Sequence, residues 1–400
     1  MQLAEFLNLQ RITLDEIIEK AKTSLQLTPD DVLFVCGSLV EGLGNEKSDL
    51  DLFLVTSRQD IQCTSPNAVM LIVRRCRIDV RVVQRSAVEE LIKRFHDWTA
   101  ELRQPRNAIL FSYDDRKLLN RIRVGEPLWG AENYRKLQDQ INLTDLAKHR
   151  LDCARYHAGT IQVDLAGLRS AGDQYSMLFA SQELLGHTVD ALLAGHHYPN
   201  FMAKWRVRQL MDLPSQWELE LPGRPFEISA MDVYLSLHSA PQTLSPSAIF
   251  NHAQRIVAFS RRVLPWAEYR LLGPNSIPLN AASTGHTMTG QPLPHLDLDV
   301  AIRYRNGSFE LFRLQGKGEI FSLSEKEYSL LCLFDGETSR DYAIREAERL
   351  VDKDTGSDLI EALMALVQHG ELEGKSFLNE SALREILRPG LEARKKTSTG

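Results

Sequence analysis

No Cys-x-x-Cys pair occurs in the 400 residues, and the five cysteines, Cys36, Cys63, Cys76, Cys153 and Cys332, are odd in number and scattered. That excludes a zinc ribbon and a disulfide framework, and it leaves reduced thiols in a cytoplasmic setting as the simple expectation. No run of eighteen apolar residues appears, so no transmembrane helix is expected. Met1 to Lys20 is amphipathic and acidic, not basic and then apolar, and so lacks the layout of a signal peptide. Charge of one sign is also lacking. Lys and Arg number 47 against 53 Asp and Glu, a formal net charge of −6. Bulk charge therefore gives no reason to expect nucleic-acid binding. Hydrophobic content of 43% is ordinary for a soluble globular protein, and the length suits two or three domains.

What is present is concentrated in Gly37 to Asp51, which reads Gly-Ser-Leu-Val-Glu-Gly-Leu-Gly-Asn-Glu-Lys-Ser-Asp-Leu-Asp after the apolar run Val32 to Val35. In an extended chain alternate side chains share a face, so Asp49 and Asp51 point together. Leu50 and Leu52 to Val55 favour that strand. Two carboxylates on one face repel unless a cation lies between them, and Mg²⁺ with its all-oxygen ligand set resolves the conflict. A Gly-Ser turn with solvated aspartates at a strand end is the alternative, and it is costly in a buried strand without a cation. Arg77 to Val83 reads as a further strand carrying one acid, Asp79. If it pairs beside the first, Asp79 completes a three-carboxylate cluster. Two metals there would activate an attacking oxygen and neutralise a leaving pyrophosphate. The Gly37-Ser38 turn, with a short helix over Leu39 to Leu43, offers N–H groups and a hydroxyl to phosphate oxygens. Lys47 and Ser48 precede the aspartates and are further candidates for phosphate contact, a merely solvated lysine being the alternative.

This pattern resembles the nucleotidyltransferase superfamily, in particular its minimal and aminoglycoside-type members, at Gly37, Ser38, Asp49, Asp51 and Asp79. The resemblance covers about the first third of the chain. It implies an α+β fold: a mixed sheet with helices, then an all-α bundle closing the substrate cleft. It implies Asp49, Asp51 and Asp79 as catalytic metal ligands, with two Mg²⁺ ions, or Mn²⁺ in their place. A nucleoside triphosphate, ATP first, would donate its monophosphate to a small molecule or peptide and release pyrophosphate. A homodimer is implied by analogy alone.

Hydrophobic periodicity predicts one helix over residues 1 to about 28 and another over 86 to 97. Ile109 to Tyr113 reads as a strand, after which Ser112-Tyr113-Asp114-Asp115 turns into a helix with the basic Arg116, Lys117, Arg121 and Arg123. The catalytic domain is expected over 1–130 and a helical bundle over 131–272. Its helices are Leu143 to Leu168, Gln174 to Ala194, Asn200 to Met211 and two or three more. On the first of these, Asp145, His149 and Asp152 share a face, which is either a polar site or an ordinary wet side. His187 and Asp190 are a candidate pair across a turn. Residues 273–295 hold four prolines and read as a linker.

Residues 296–380 carry three short strands, with a turn at Arg305-Asn306-Gly307, and then three helices. This winged-helix-like layout, with Ser-Leu-Ser-Glu at 322 to 325 and Leu-Phe-Asp-Gly at 333 to 336, resembles PqqD-like domains. The likeness implies a leader-peptide partner and a role in natural-product or modified-peptide biosynthesis. Residues 381–400 are a polar tail. A regulatory or antitoxin-like protein of the same fold is the alternative from another class. DNA binding is disfavoured, because Asp358 to His369 offers no Lys or Arg.

Overall fold

Val32–Cys36 (β1) is an apolar run buried at every position, as expected of a strand inside a sheet. The computed structural model describes residues 1–61, 68–101, 111–213, 229–273, 290–314, 320–350, 356–361 and 363–364. The chain divides into two units, Met1–His149 and Arg150–Gly400.

In the first unit, β1 is joined by β2 (Leu50–Thr56), β3 (Ala68–Val73), β4 (Cys76–Gln84) and β5 (Glu126–Trp129) in the order β3-β4-β2-β1-β5. Only β2 and β4 run parallel, so the sheet is mixed. The period-two alternation divides its side chains between two cores. Leu33, Val35, Leu52, Leu54, Ile78 and Val80 pack with α1 (Leu3–Gln10) and α2 (Leu14–Leu25) on one face. Val32, Phe34, Phe53 and Val55 pack on the other with α3 (Arg85–Glu101), α4 (Tyr113–Val124), α5 (Ala131–Gln138) and the first turns of α6 (Leu143–Ala171).

Four expectations change here. The single N-terminal helix is two, because Arg11 takes a left-handed φ of 55° and Thr13 restarts the chain with a capping box to Glu16. Leu39 to Leu43 is a run of turns, not a helix, and Gly42 at φ +73° leaves it no room to propagate. The strand expected over Ile109 to Tyr113 is not one where it can be followed: Ser112 caps α4 and Tyr113 is its first residue, while 109–110 lie outside the described residues. β5 was not expected at all. Its Pro127 removes a donor, which an edge strand tolerates and a central one does not.

In the second unit α6 continues and is joined by α7 (Gln174–Gly195), a 3₁₀ turn (Ala203–Trp205), α8 (Arg206–Met211), α9 (Ala230–His238) and α10 (Pro246–Leu272). Asp190 does not pair with His187. It accepts from Arg150 Nη2 at 2.8 Å and from Arg206 Nη2 at 2.6 Å, which ties α6, α7 and α8 together. The C-terminal strands are β6 (Val300–Arg305), β7 (Ser308–Arg313) and β8 (Phe321–Leu323), all antiparallel, followed by α11 (Glu325–Leu331) and α12 (Arg340–Leu350). Asn306 and Gly307 both have positive φ, as a two-residue hairpin of the primed type requires. Residues 356–361 are helical; Gly370 and the 381–400 tail lie outside the described residues.

These strands are built into the unit. The buried Arg261 donates to the carbonyls of Val300 at 2.7 Å and Leu296 at 3.3 Å, and also to that of Asp297. The end of the expected linker is likewise fixed: Leu293 N donates to Thr338 O at 2.8 Å. Residues 274–289 lie outside the described residues. Among the described residues no helix is long and apolar enough to cross a membrane. Cys36, Cys76, Cys153 and Cys332 are free thiols, and Cys63 lies outside the described residues.

Candidate active site

β1 ends at Gly37, whose φ of +88° lies in the left-handed region that glycine reaches without strain. A Cβ at this position would stand 2.5 Å from Asp51 Oδ2. The glycine is therefore what lets the Asp51 carboxylate lie against the turn. Val40 N and Glu41 N donate to Gly37 O at 3.1 and 3.2 Å, and Leu43 N donates to Ser38 O at 2.8 Å. These bonds close the Gly-Ser turn, but no helix N-terminus follows it to bind phosphate. Further on, Ser48 Oγ accepts from Asn45 N at 2.9 Å and so closes the loop that leads into β2. Lys47 on that loop is exposed.

Asp51 pairs with Asp79 in the parallel ladder of β2 and β4, so the two carboxylates are register neighbours on one sheet face. Asp49 lies exposed just before β2. The sheet therefore brings together Gly37, Asp51 and Asp79. It does not assemble the expected three-carboxylate cluster: among the described residues no group of three His, Cys, Asp or Glu side chains is placed to share a metal. Each strand carboxylate has a guanidinium instead. Arg121 Nη2 lies 3.1 Å from Asp51 Oδ2, and Arg77 Nε lies 3.2 Å from Asp79 Oδ1. The two contacts differ in kind. The Asp79 and Arg77 side chains are 46% and 70% exposed, so solvent screens that pair, whereas the Arg121 side chain is 9% exposed. The oxygen-only donors suit a hard divalent cation. Their use by one would exchange Arg121 and Arg77 for the metal.

Arg121 belongs to a set of residues that motif reading missed. On α4, Asp114, Lys117, Leu118 and Arg121 recur at helical spacing and line a cleft of about 500 Å³. Its floor is the same sheet face, with Phe53 of β2 and Arg81 and Val83 of β4. Arg58 stands in the lining too, but it is committed: it donates to Leu25 O at 3.2 Å and Gln26 O at 2.7 Å, closing the carbonyl end of α2. Burial lowers the Lys117 pKa, and the neighbouring charges of Arg121 and Arg81 lower it further. The available signal was the capping box Ser112-x-x-Asp115 followed by this spacing, which starts the expected helix at Tyr113, inside the expected strand.

The polar face expected on α6 is not wet. His149 is buried among Trp98, Phe111 and Phe95, with ring centroids at 4.8, 5.0 and 6.4 Å. Burial pushes its pKa down to about 3, and Arg116 adds to the shift, so the imidazole is neutral. Asp145 is taken by Lys148 at 3.0 Å, and Asp152 by Arg155 at 2.9 Å.

No family model matches the chain, and no curated protein matches it. Among solved structures, a nucleotidyltransferase-like protein from Exiguobacterium sibiricum 255-15 is similar over 64% of this chain and 74% of its own, at 13% identity and a TM-score of 0.34. A likeness that low carries neither the fold nor the function, and both rest on the residues described above.

Proposed function

We propose that this chain is a nucleotidyltransferase that moves a nucleoside monophosphate, from ATP first, onto a hydroxyl of a small molecule or peptide. The observation that carries this reading is Gly37 held against Asp51, with Asp79 beside it in register. A close glycine turn and two carboxylates on one face suit a triphosphate and the divalent cation that travels with it. The N–H groups of Gly37 and Ser38 and the Ser38 hydroxyl would hold terminal phosphate oxygens, with Lys47 and Ser48 at the margin. Asp49, Asp51 and Asp79 would hold Mg²⁺ or Mn²⁺, which supplies charge neutralisation to the phosphates when bound. The acceptor oxygen attacks the α-phosphorus and a new P–O bond forms. The bond to the bridging oxygen breaks, pyrophosphate leaves, and the acceptor proton passes to Asp79. The finer reading of residues 296–380 as a leader-peptide module is part of this proposal, and a full-length chain that binds nucleotide but no peptide would remove it.

A second reading has one observation in its favour. Asp51 and Asp79 already have guanidinium partners, an arrangement that also suits a non-catalytic, antitoxin-like or regulatory protein. Calorimetric titration of ATP, GTP, CTP and UTP with Mg²⁺ separates the two. Binding of a nucleotide that depends on Mg²⁺ and is lost in Asp49→Asn/Asp51→Asn supports the enzyme. Absence of any nucleotide binding sinks it and favours the regulatory reading.

A further inference from the structure

Three cationic side chains, Arg81, Lys117 and Arg121, converge where the nucleotidyltransferase reading assigns no residue. Among the described residues neither Arg81 nor Lys117 has a carboxylate within ion-pair distance, and Asp114 is the one acid that lines the cleft. The whole chain carries a net charge of −6, so this excess of positive charge is local and runs against the overall balance. Like charges crowded into a cleft repel until an anion joins them.

Arg121 adds the more specific observation. Its side chain is nine-tenths buried between Phe53, whose ring centroid is 5.0 Å from the guanidinium, and Asp51. It gives Asp51 a single hydrogen bond, from Nη2 to Oδ2 at 3.1 Å. A guanidinium has five N–H donors in a fixed fork. The remaining donors have no hydrogen-bond acceptor among the described residues, and the side chain borders the cleft. A buried guanidinium with one hydrogen bond, beside an exposed Arg81 and a Lys117 that feels Asp51 and Asp114 only at a distance, is matched by phosphate oxygens, which accept several such bonds at once.

We propose that the cleft between α4 and the sheet is an oligophosphate site formed by Arg81, Lys117 and Arg121, and that Arg121 is shared between this site and Asp51. With the cleft empty, Arg121 neutralises Asp51. With oligophosphate in the cleft, the guanidinium turns to the phosphates and releases the Asp51 carboxylate. The coupling is reciprocal: whatever occupies Asp51 raises the affinity of the cleft for the anion by the same factor. The use made of the freed Asp51 rests on the nucleotidyltransferase reading; the anion site itself does not.

The test uses the full chain, tripolyphosphate as the probe, and EDTA to exclude metal. Wild-type protein is expected to bind tripolyphosphate, and Arg81→Gln and Lys117→Gln are each expected to weaken it by about tenfold, the size of one lost charge-assisted hydrogen bond. Asp51→Asn frees Arg121 and should tighten binding. Asp114→Asn removes a carboxylate from the cleft lining itself without touching the partner of Arg121, so the gain in Asp51→Asn, which lies outside that lining, should exceed the control by at least about threefold, a small coupling energy. Circular dichroism confirms that each variant folds, and Arg121→Lys, which keeps a charge but loses the fork, is expected to weaken tripolyphosphate. ATP in the same buffer distinguishes a nucleotide from a free oligophosphate as the occupant. No tripolyphosphate binding, binding indifferent to Arg81 and Lys117, or no gain beyond the Asp114 control overturns the inference. None of these outcomes depends on Mg²⁺-dependent nucleotide binding or transfer, so this proposal and the enzymatic one fail separately.

Discussion

Gly37 is where backbone conformation and side-chain chemistry meet in the candidate site. Its φ of +88° and its closeness to Asp51 Oδ2 make it irreplaceable for two independent reasons. Gly37→Ala forces a non-glycine residue into the left-handed region at a cost of roughly 1–2 kcal/mol, and its methyl group must also push the Asp51 carboxylate aside. Urea denaturation should show a loss of at least that size. Nucleotide affinity should fall by more than the stability loss explains, since Asp51 no longer lies on the turn. A Gly37→Ala protein that binds nucleotide like the wild type would refute the role given to this contact. Gly37, Asp51 and Asp79 were legible in the sequence because a glycine turn and single acids within apolar, β-branched runs are local patterns, although Asp49 falls just before β2. Arg121 was not, because its partner Asp51 lies 70 residues away and nothing local in the chain announces the pairing.

Elements were legible where the periodicity was long and clean. α7 runs Gln174–Gly195 behind its Asp173 cap, close to the expected span, and the Asn306-Gly307 hairpin stands where its dipeptide placed it. Errors arose where one local signal interrupted another. The Thr13 capping box cut one long helical pattern in two, and the Ser112 box turned an apolar run into the start of α4. Tertiary pairing decided β5, whose sequence Glu-Pro-Leu-Trp has little strand character of its own. Charges between elements were equally hidden. Asp190 on α7 joins Arg150 of α6 and Arg206 of α8, with Arg150 and Asp190 nearly inaccessible. Burial alone would raise the Asp190 pKa, but the two arginines outweigh it and hold the carboxyl below its ordinary value. Asp190→Asn leaves two guanidinium groups without their counter-charge, and one of them is fully buried. The expected loss is about 3–5 kcal/mol of stability in the second unit, read from denaturant unfolding. A loss under about 1 kcal/mol would place this triad among ion pairs of surface strength.

Across the whole molecule, the buried histidines set the response to acid. Burial is the first cause of a lowered pKa at His149 (about 3), His196 (about 4) and His295 (about 4), and at His187 and His252 as well. In the unfolded chain each titrates near 6.5. Below that pH the unfolded chain takes up protons that the folded chain refuses, so stability is full above about pH 6.5 and falls as the pH drops toward the folded values. Each such histidine removes about 1.4 kcal/mol per pH unit in that window. The buried carboxylates Glu268 and Asp152, whose pKa values burial raises, act in the opposite direction. Their contribution begins at the ordinary carboxylate pKa of about 4 and is lost as the pH rises, so it offsets part of the loss from the histidines. His196 and His295 both lie in the second unit, and their combined loss between pH 7 and pH 5 corresponds to a fall in its melting temperature on the order of ten degrees. In the first unit His149 is enclosed by Trp98, Phe111 and Phe95, and His149→Phe keeps the aromatic packing while removing its titrating group. That variant should flatten the pH dependence of the first unit and leave the second unchanged, measured by calorimetric melting at pH 7, 6 and 5. A melting profile that stays flat from pH 7 to pH 5, or one that His149→Phe does not alter, would mean that these imidazoles accept protons in place and that the aromatic enclosure of His149 opens to water.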